Sequence, residues 1–473
     1  MKESSCRRDR VTFFVVLASV FVANLAYNML TTALPSVMAD FEIDAIAGQL
    51  LTTGYVYALG GVSAMIAFFT TRYSIRNLFL VAMAFFIASC VIAVRAQSYP
   101  VLLASRFLQA CGNGVLIPLV QLVAVAVYPE ERRGFALGLS GMVIAFAPVF
   151  GPTISGIVTD LLGWRANFVM LACAASVAWV VAFFTIRDIG THFPVKLDPL
   201  SCASFAGGLT CLLVAVSIAE REGLSSLGFL LPAAGAAVFL VLFVLRQLKI
   251  PNPLLKLWLF KRKTFALGVI LAGLAQIAVL AGPLQASLFM QNECGNMALA
   301  VGFVLLPGAL ANAFANTPAG SFYDRFGMVP CMSVGLSLLA IGSGMFVAFD
   351  LSVSVVWVAI AHAIRMIGLA FLVMPTTAYC MTGLDDSETK HATAIINAVR
   401  QVVGSLGSNL LIALMAVVTV RWAPGDVAAA EGLSLLGFHV SFGLQAAIFA
   451  VLIVVVVVTI GGSRGKANGA SSN

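Results

Sequence analysis

Fourteen apolar runs, each close to the ~20 residues that a helix needs to cross a bilayer, constrain this chain before any motif is considered. They cover approximately 11–33, 47–69, 78–95, 100–127, 134–159, 166–187, 199–219, 228–246, 265–290, 297–320, 331–349, 353–381, 391–420 and 436–460. In lipid every backbone N–H and C=O must be satisfied within the chain, so runs of this length imply helices. The expected fold class is therefore all-α and integral to a membrane. Charged residues are only 10% of the 473, against about 25% in soluble domains. The first run follows "KESSCRRDR" directly and lacks a small-residue cleavage site, so a retained helix is expected rather than a removed signal peptide.

Lysine and arginine set the orientation. Twenty fall on the side that holds the N-terminus, and four (Arg95, Arg165, Arg221 and Arg421) on the other. Three more, Arg106, Arg365 and Arg400, lie within spans. Both termini are expected to be cytoplasmic, in a multi-pass protein of the inner or plasma membrane. The net charge of +7 does not indicate nucleic acid, because no basic tract is interleaved with aromatics. Nine scattered cysteines form no CxxC pair and read as small buried hydrophobes, with no metal or disulfide framework. The link "RQLKIPNPLLKLWLFKRK" (246–263) is basic and amphipathic, and is expected to lie on the anionic inner leaflet.

The chain repeats itself. "TTRYSIRNLFL" follows span 2 and "YDRFGMVPCM" follows span 10; span 4 carries "SRFLQACGNGVLIP" and span 12 "AIRMIGLAFLVMP". Spans 1–6 thus correspond to spans 9–14, and two such halves with a site between them are a transporter plan. The expected organisation is a cytoplasmic N-terminal tail (1–10), a six-helix half (11–187), two inserted helices with the basic link (188–264), a second six-helix half (265–460) and a disordered tail (461–473).

Six segments in order carry a family likeness: "ALPSVMADF", "ASRFLQACGNG", "PEERRGFALGLSGM", "GPTISG" with "GWRANF", "PAGSFYDRFG" and "INAVRQVVGSLGSNL". Along nearly its whole length the chain resembles the major facilitator superfamily, in its fourteen-helix drug:proton antiporter branch. The resemblance implies the major-facilitator fold with fourteen transmembrane helices and export of small molecules by alternating access. It also places an arginine at Arg106 of the substrate cavity and a moving helix at span 5. There Gly141, Gly151 and Gly156, among other small residues, allow close backbone approach, while Pro148 and Pro152 weaken the helix. Tight packing in a static bundle is the alternative.

Ionisable groups in mid-membrane are costly and mark function. Arg106, Gln109 and Asn113 share one face of span 4, as cavity lining or as a structural arginine bonded to carbonyls of span 1 or 5. Asn397, Arg400 and Gln401 cluster on span 13, His362 and Arg365 on span 12, and Asn24, Asn28 and Thr31 along span 1. The loop repeats supply a gating set: Arg72 and Arg76 in the first, Asp324, Arg325 and Gly327 in the second. Two departures from the family stand out. Ala26 occupies its span-1 acidic position, and Thr71 stands where the first loop copy has aspartate. All twenty acidic residues lie in loops or at span ends, which favours neutral or anionic substrates. A proton then has His362, or mouth carboxylates such as Asp40 and Asp160, as its coupling groups.

No GxxxxGK[ST], HExxH or GxSxG occurs, so neither an ATP-driven pump nor a common hydrolase is supported, and no enzyme activity or cofactor is expected. The expected partners are a small-molecule substrate, the bilayer and protons, with the protein a monomer. An uptake carrier for a metabolite and a non-transporting membrane sensor on the same scaffold are the rival readings.

Overall fold

Among the described residues the apolar runs become helices. A computed structural model describes residues 2–43, 45–186, 198–222, 226–251, 253–290, 298–422 and 435–458. Its α-helices are α1 (Lys2–Phe41), α2 (Ala45–Ala64), α3 (Ile66–Arg72), α4 (Ile75–Val94), α5 (Tyr99–Val127), α6 (Arg133–Leu162), α7 (Trp164–Thr185) and α8 (Pro199–Glu222). They continue as α9 (Leu227–Lys249), α10 (Lys263–Leu288), α11 (Ala298–Phe326), α12 (Met328–Val347), α13 (Val355–Met381), α14 (Asp386–Trp422) and α15 (Leu435–Val456). Residues 2–10, read as a tail, continue α1 as helix. The tail from Gly461, and residues 187–197 and 223–225 of the inserted region, lie outside the described residues.

Twelve helices among the described residues are long and apolar enough to cross a membrane, and the pair α2–α3, bent by 45°, makes thirteen. Among the described residues the expected count of fourteen is not confirmed. α11, which corresponds to span 10, is not among them; it carries Asn312, Asn316 and two prolines.

The chain forms two compact units. The first comprises Met1–Pro129, Ala147–Lys263 and Met381–Val402; the second comprises Glu130–Phe146, Thr264–Cys380 and Val403–Asn473. Both α6 and α14 therefore contribute their two ends to different units, and the boundary in α6 falls just before Pro148.

In unit 1 small residues bring backbones together, as membrane helices require where lipid is as apolar as the core. A Cβ on Gly112 of α5 would lie 2.6 Å from Ala82 O of α4, and one on Gly114 would lie 2.8 Å from Leu59 O of α2. Ser63 Oγ donates to Gly114 O at 2.9 Å. The segment "GWRANF" ties the start of α7 to the end of α1 and to the connection between α4 and α5. Arg165 Nη1 and Trp164 Nε1 donate to Asp40 Oδ2 at 2.6 and 3.2 Å, and Arg165 Nη2 donates to Ala96 O at 3.0 Å. Gly163, with φ +82°, makes the turn into α7.

The inserted helices α8 and α9 pair with each other. Asp198 accepts two bonds from Arg246 at 3.0 Å and one from Ser201 Oγ at 2.6 Å, and these hold its carboxyl well below the usual carboxylate range. Only 11% of the apolar window of α9 is buried, so most of its apolar surface is left uncovered by the described residues.

In unit 2, Gly335 of α12 and Gly368 of α13 meet reciprocally, each Cβ position lying within 2.9 Å of the other residue's carbonyl oxygen. Phe289 stacks on Phe438 at 4.2 Å and Phe346 on Phe442 at 4.4 Å, closing one end of the core.

Candidate functional site

The polar face of α5 is built into unit 1. Arg106 is 1% exposed. Its guanidinium lies 4.3 Å from the Tyr55 ring centroid and donates to Gln109 Oε1, to Ala26 O at 3.4 Å and to Leu51 O at 3.5 Å. Nη2 has no partner. Of the two readings of this arginine, carbonyl bonding is realised here, to α1 and α2. Gln109 continues to Cys90 Sγ at 3.2 Å, and Asn113 donates to the Tyr55 hydroxyl at 2.9 Å. Tyr55 in turn stacks on Tyr27. The result is one connected array joining α1, α2, α4 and α5.

Asn24, Asn28 and Thr31 bond back to their own helix, at Val20 O, Asn24 O and Asn28 O. They are partly or fully exposed, unlike the α5 residues. The polar stripe along α1 thus keeps exposed surface. Asn397 of α14 donates to Gln121 Oε1 of α5 at 2.8 Å, and the backbone at Gly60 approaches Gln401 so closely that a Cβ there would sit 3.0 Å from the Gln401 Cβ. Arg400 is 5% exposed.

In unit 2, Arg365 is equally buried. Nη2 donates to Gln445 Oε1 at 2.8 Å, the guanidinium lies 4.7 Å from the Phe442 ring centroid, and Nε and Nη1 have no partner. Gln445 donates to Gln285, which donates to Ser441. His362 packs against Gly308, and its Nδ1 is unpartnered. Among the described residues the ion pairs are Arg165–Asp40, Arg246–Asp198 and Arg262–Glu388, so neither Arg106 nor Arg365 has a carboxylate partner. Gln445, Ser441 and Gln121 carried no signal in the sequence beyond a polar residue in an apolar run.

α6 shows why its small residues matter. Within unit 2, Cβ atoms at Gly134, Gly138 and Gly141 would fall 2.4–2.6 Å from Asp324 Oδ1, Asn316 O and Asn316 Oδ1 of α11. Within unit 1, one at Gly151 would fall 2.6 Å from the Asn28 Cβ, and Ser155 Oγ donates to Met29 O. Gly156 has nothing within 4 Å, Pro148 is exposed and Pro152 is half-buried.

The loop residues divide by role. Asp324 accepts N–H bonds from Gly134 and Phe135, both at 2.8 Å, at the start of α6. A carboxylate there meets the positive end of the helix dipole. Gly327 has φ +81°, so only glycine makes that turn without strain. Arg76 donates to Phe183 O at 2.8 Å, while Arg72 and Arg325 stack on Tyr73 and Phe326.

Asp324 lies beyond the span read as 297–320. Burial pushes its carboxyl above the ordinary range, outweighing the two backbone bonds that pull it down. A raised value in the bonded form means that protonation favours that form. The buried arrangement as a whole is most favoured below the usual carboxylate range and loses that advantage as pH rises through the raised value, because the cost of burying the charge exceeds what the two N–H bonds return. Asp324→Asn should flatten the pH dependence of amide exchange at residues 134–135. An unchanged pH profile would assign that dependence to another group.

A sequence model of the Major Facilitator Superfamily matches residues 16–408. "Uncharacterized MFS-type transporter YcnB" of Bacillus subtilis is 32% identical, over 91% of this chain and 94% of its own length. "Lincomycin resistance protein LmrB" of Listeria innocua is 29% identical, over 88% of this chain and 89% of its own length. The crystal structure of the human organic anion transporter MFSD10 (TETRAN) superposes with a TM-score of 0.67 at 11% identity, covering 95% of this chain and 99% of that one.

Proposed function

Because this chain belongs to the major facilitator superfamily, and is thus a secondary transporter of multi-pass membrane type, we propose that it exports small amphipathic molecules by alternating access. The coupling gradient is that of protons across the plasma membrane, and both termini are cytoplasmic. The proposal keeps the organisation into two six-helix halves, an inserted helix pair and a fourteen-helix count. The observation that carries it is the α6–α11 contact. Glycine backbones pack at a distance that no side chain tolerates, sealed by a carboxylate on a helix N-terminus. Such a contact makes and breaks as a unit, as a two-state element requires. The similarity to a lincomycin resistance protein supports export rather than uptake.

In unit 1 substrate contact is assigned to the polar stripe Asn24, Asn28 and Thr31, to Asn397, Arg400 and Gln401 on α14 and to the face that holds Arg106; in unit 2 it is assigned to the face that holds His362 and Arg365. With arginines as the charges within the spans, neutral or monoanionic compounds are favoured over dications. Flux of a monoanion, a neutral compound and a dication in inverted vesicles, with and without a pH gradient, tests both parts. Outward-directed, gradient-dependent transport of the first two is expected. Proton-driven export of the dication alone would overturn the substrate assignment, and net uptake would favour a nutrient carrier.

A further inference from the structure

The two loop repeats of this chain align Thr71-Arg72-Tyr73 with Asp324-Arg325-Phe326. Asp324 holds the N-terminus of α6, but Thr71 cannot do the same for α14. Its hydroxyl turns back on its own helix, to Ala67 O at 2.7 Å. The N-terminus of α14 is also already occupied. Asp385 Oδ1 accepts the Glu388 N–H at 2.6 Å, and Glu388 Oε2 accepts the Asp385 N–H at 3.3 Å, a reciprocal capping box. With Asp386 and Glu388 in that first turn, a further carboxylate from the α3 loop would meet like charge.

The contact between these elements runs the other way. Lys390, on the second turn of α14, donates from Nζ to Thr70 O at 2.9 Å. That carbonyl lies in the last turn of α3, where the helix dipole is negative and a cation is favoured. We infer that Lys390 is the positioning residue of a second cytoplasmic latch, of reversed polarity to the Asp324 latch, in which a cation on α14 grips a helix C-terminus.

The basic link fixes this end of α14. Arg262 donates to Glu388 Oε1 at 3.1 Å and to Gly383 O at 3.2 Å. Lys256 donates to Ser387 Oγ at 2.9 Å, and His391 Nδ1 lies 3.1 Å from Leu254 O. The inserted pair α8–α9 is thereby strapped to the helix that carries Asn397 and Arg400, so its link holds the latch in register.

The functional weight of this latch rests on the alternating-access reading above, but its existence is measured without any substrate. Amide exchange is followed by mass spectrometry on the full chain in nanodiscs for wild type, Lys390→Met, Lys390→Gln and Lys390→Arg. Loss of a charge-assisted hydrogen bond should raise exchange about tenfold over residues 66–72 and 386–394 in the Met and Gln variants. Exchange at 134–135 should stay unchanged, and Arg should restore protection. Exchange within twofold of wild type in both segments, for whichever of Met and Gln folds, would overturn the latch. Exchange that rises while flux is unaffected would leave the contact intact as a structural tie and overturn its gating role.

Discussion

Gly320→Ala is expected to cut transport at least about fivefold at equal membrane level, whereas Gly156→Ala leaves it near wild type. A Cβ on Gly320 would lie 2.1 Å from Gly134 O and 2.7 Å from its carbonyl carbon, so the obstacle is backbone and cannot rotate away. Overpacking of this kind costs about 1–3 kcal/mol, which is roughly 5- to 150-fold in a conformational equilibrium. Alanine gains up to about 1 kcal/mol of helix propensity over glycine, so folding and insertion survive. The penalty falls on the state in which α6 and α11 touch. At Gly156 an added Cβ meets nothing within 4 Å, so only the propensity gain is left. Flux in inverted vesicles, normalised to protein level, makes the comparison. Equal flux from the two variants would remove the α6–α11 contact from the transport cycle.

The second large effect concerns Arg106. Arg106→Lys should lower flux at least tenfold with membrane levels close to normal. The guanidinium reaches Gln109, Ala26 O and Leu51 O, and it stacks on Tyr55. Lysine keeps the charge, but its single ammonium lacks the planar fork that serves several acceptors while lying on a ring. Each charge-assisted bond lost is worth about 1.5–3 kcal/mol. A lysine ammonium can keep part of the cation–π attraction to Tyr55 but not the planar stacking. Because the array joins α1 to α5, the change loosens the stripe Asn24–Asn28–Thr31 as well. Tyr55→Phe isolates one part of this, since it keeps the ring and removes the hydroxyl that Asn113 reaches, and it should cost less than Arg106→Lys. Normal transport by Arg106→Lys would reduce this array to a structural tie.

Helix positions were legible because lipid leaves a chain little choice. Apolar length and the backbone's need for hydrogen bonds decide them, and no long-range information is required. The bend at Met65 between α2 and α3 was not legible. "VSAMI" contains neither proline nor glycine, although Gly60 and Gly61 stand just before it. The link 246–263 read as a membrane-surface segment because its composition is basic and amphipathic. Its Lys256 and Arg262 meet Ser387 and Glu388, about 130 residues away, and periodicity cannot pair such positions. The glycines of span 5 announced close packing, yet their partners, Asn316 and Gly320 on α11 and Asn28 on α1, are tertiary facts. Lys390 gave no signal either. A lysine near a span end satisfies the orientation rule and invites no further question.

The place of Asp324 has an electrical consequence. A proton bound in mid-membrane must travel through part of the transmembrane field, and a full crossing is worth about 2.3 kcal/mol per 100 mV. Asp324 lies on α11 beyond the span read as 297–320 and accepts N–H bonds from the start of α6, so in the topology proposed above it takes up or releases its proton near the aqueous edge. That exchange moves almost no charge through the field. A step gated by this carboxyl responds to the pH on its own side and is nearly indifferent to voltage.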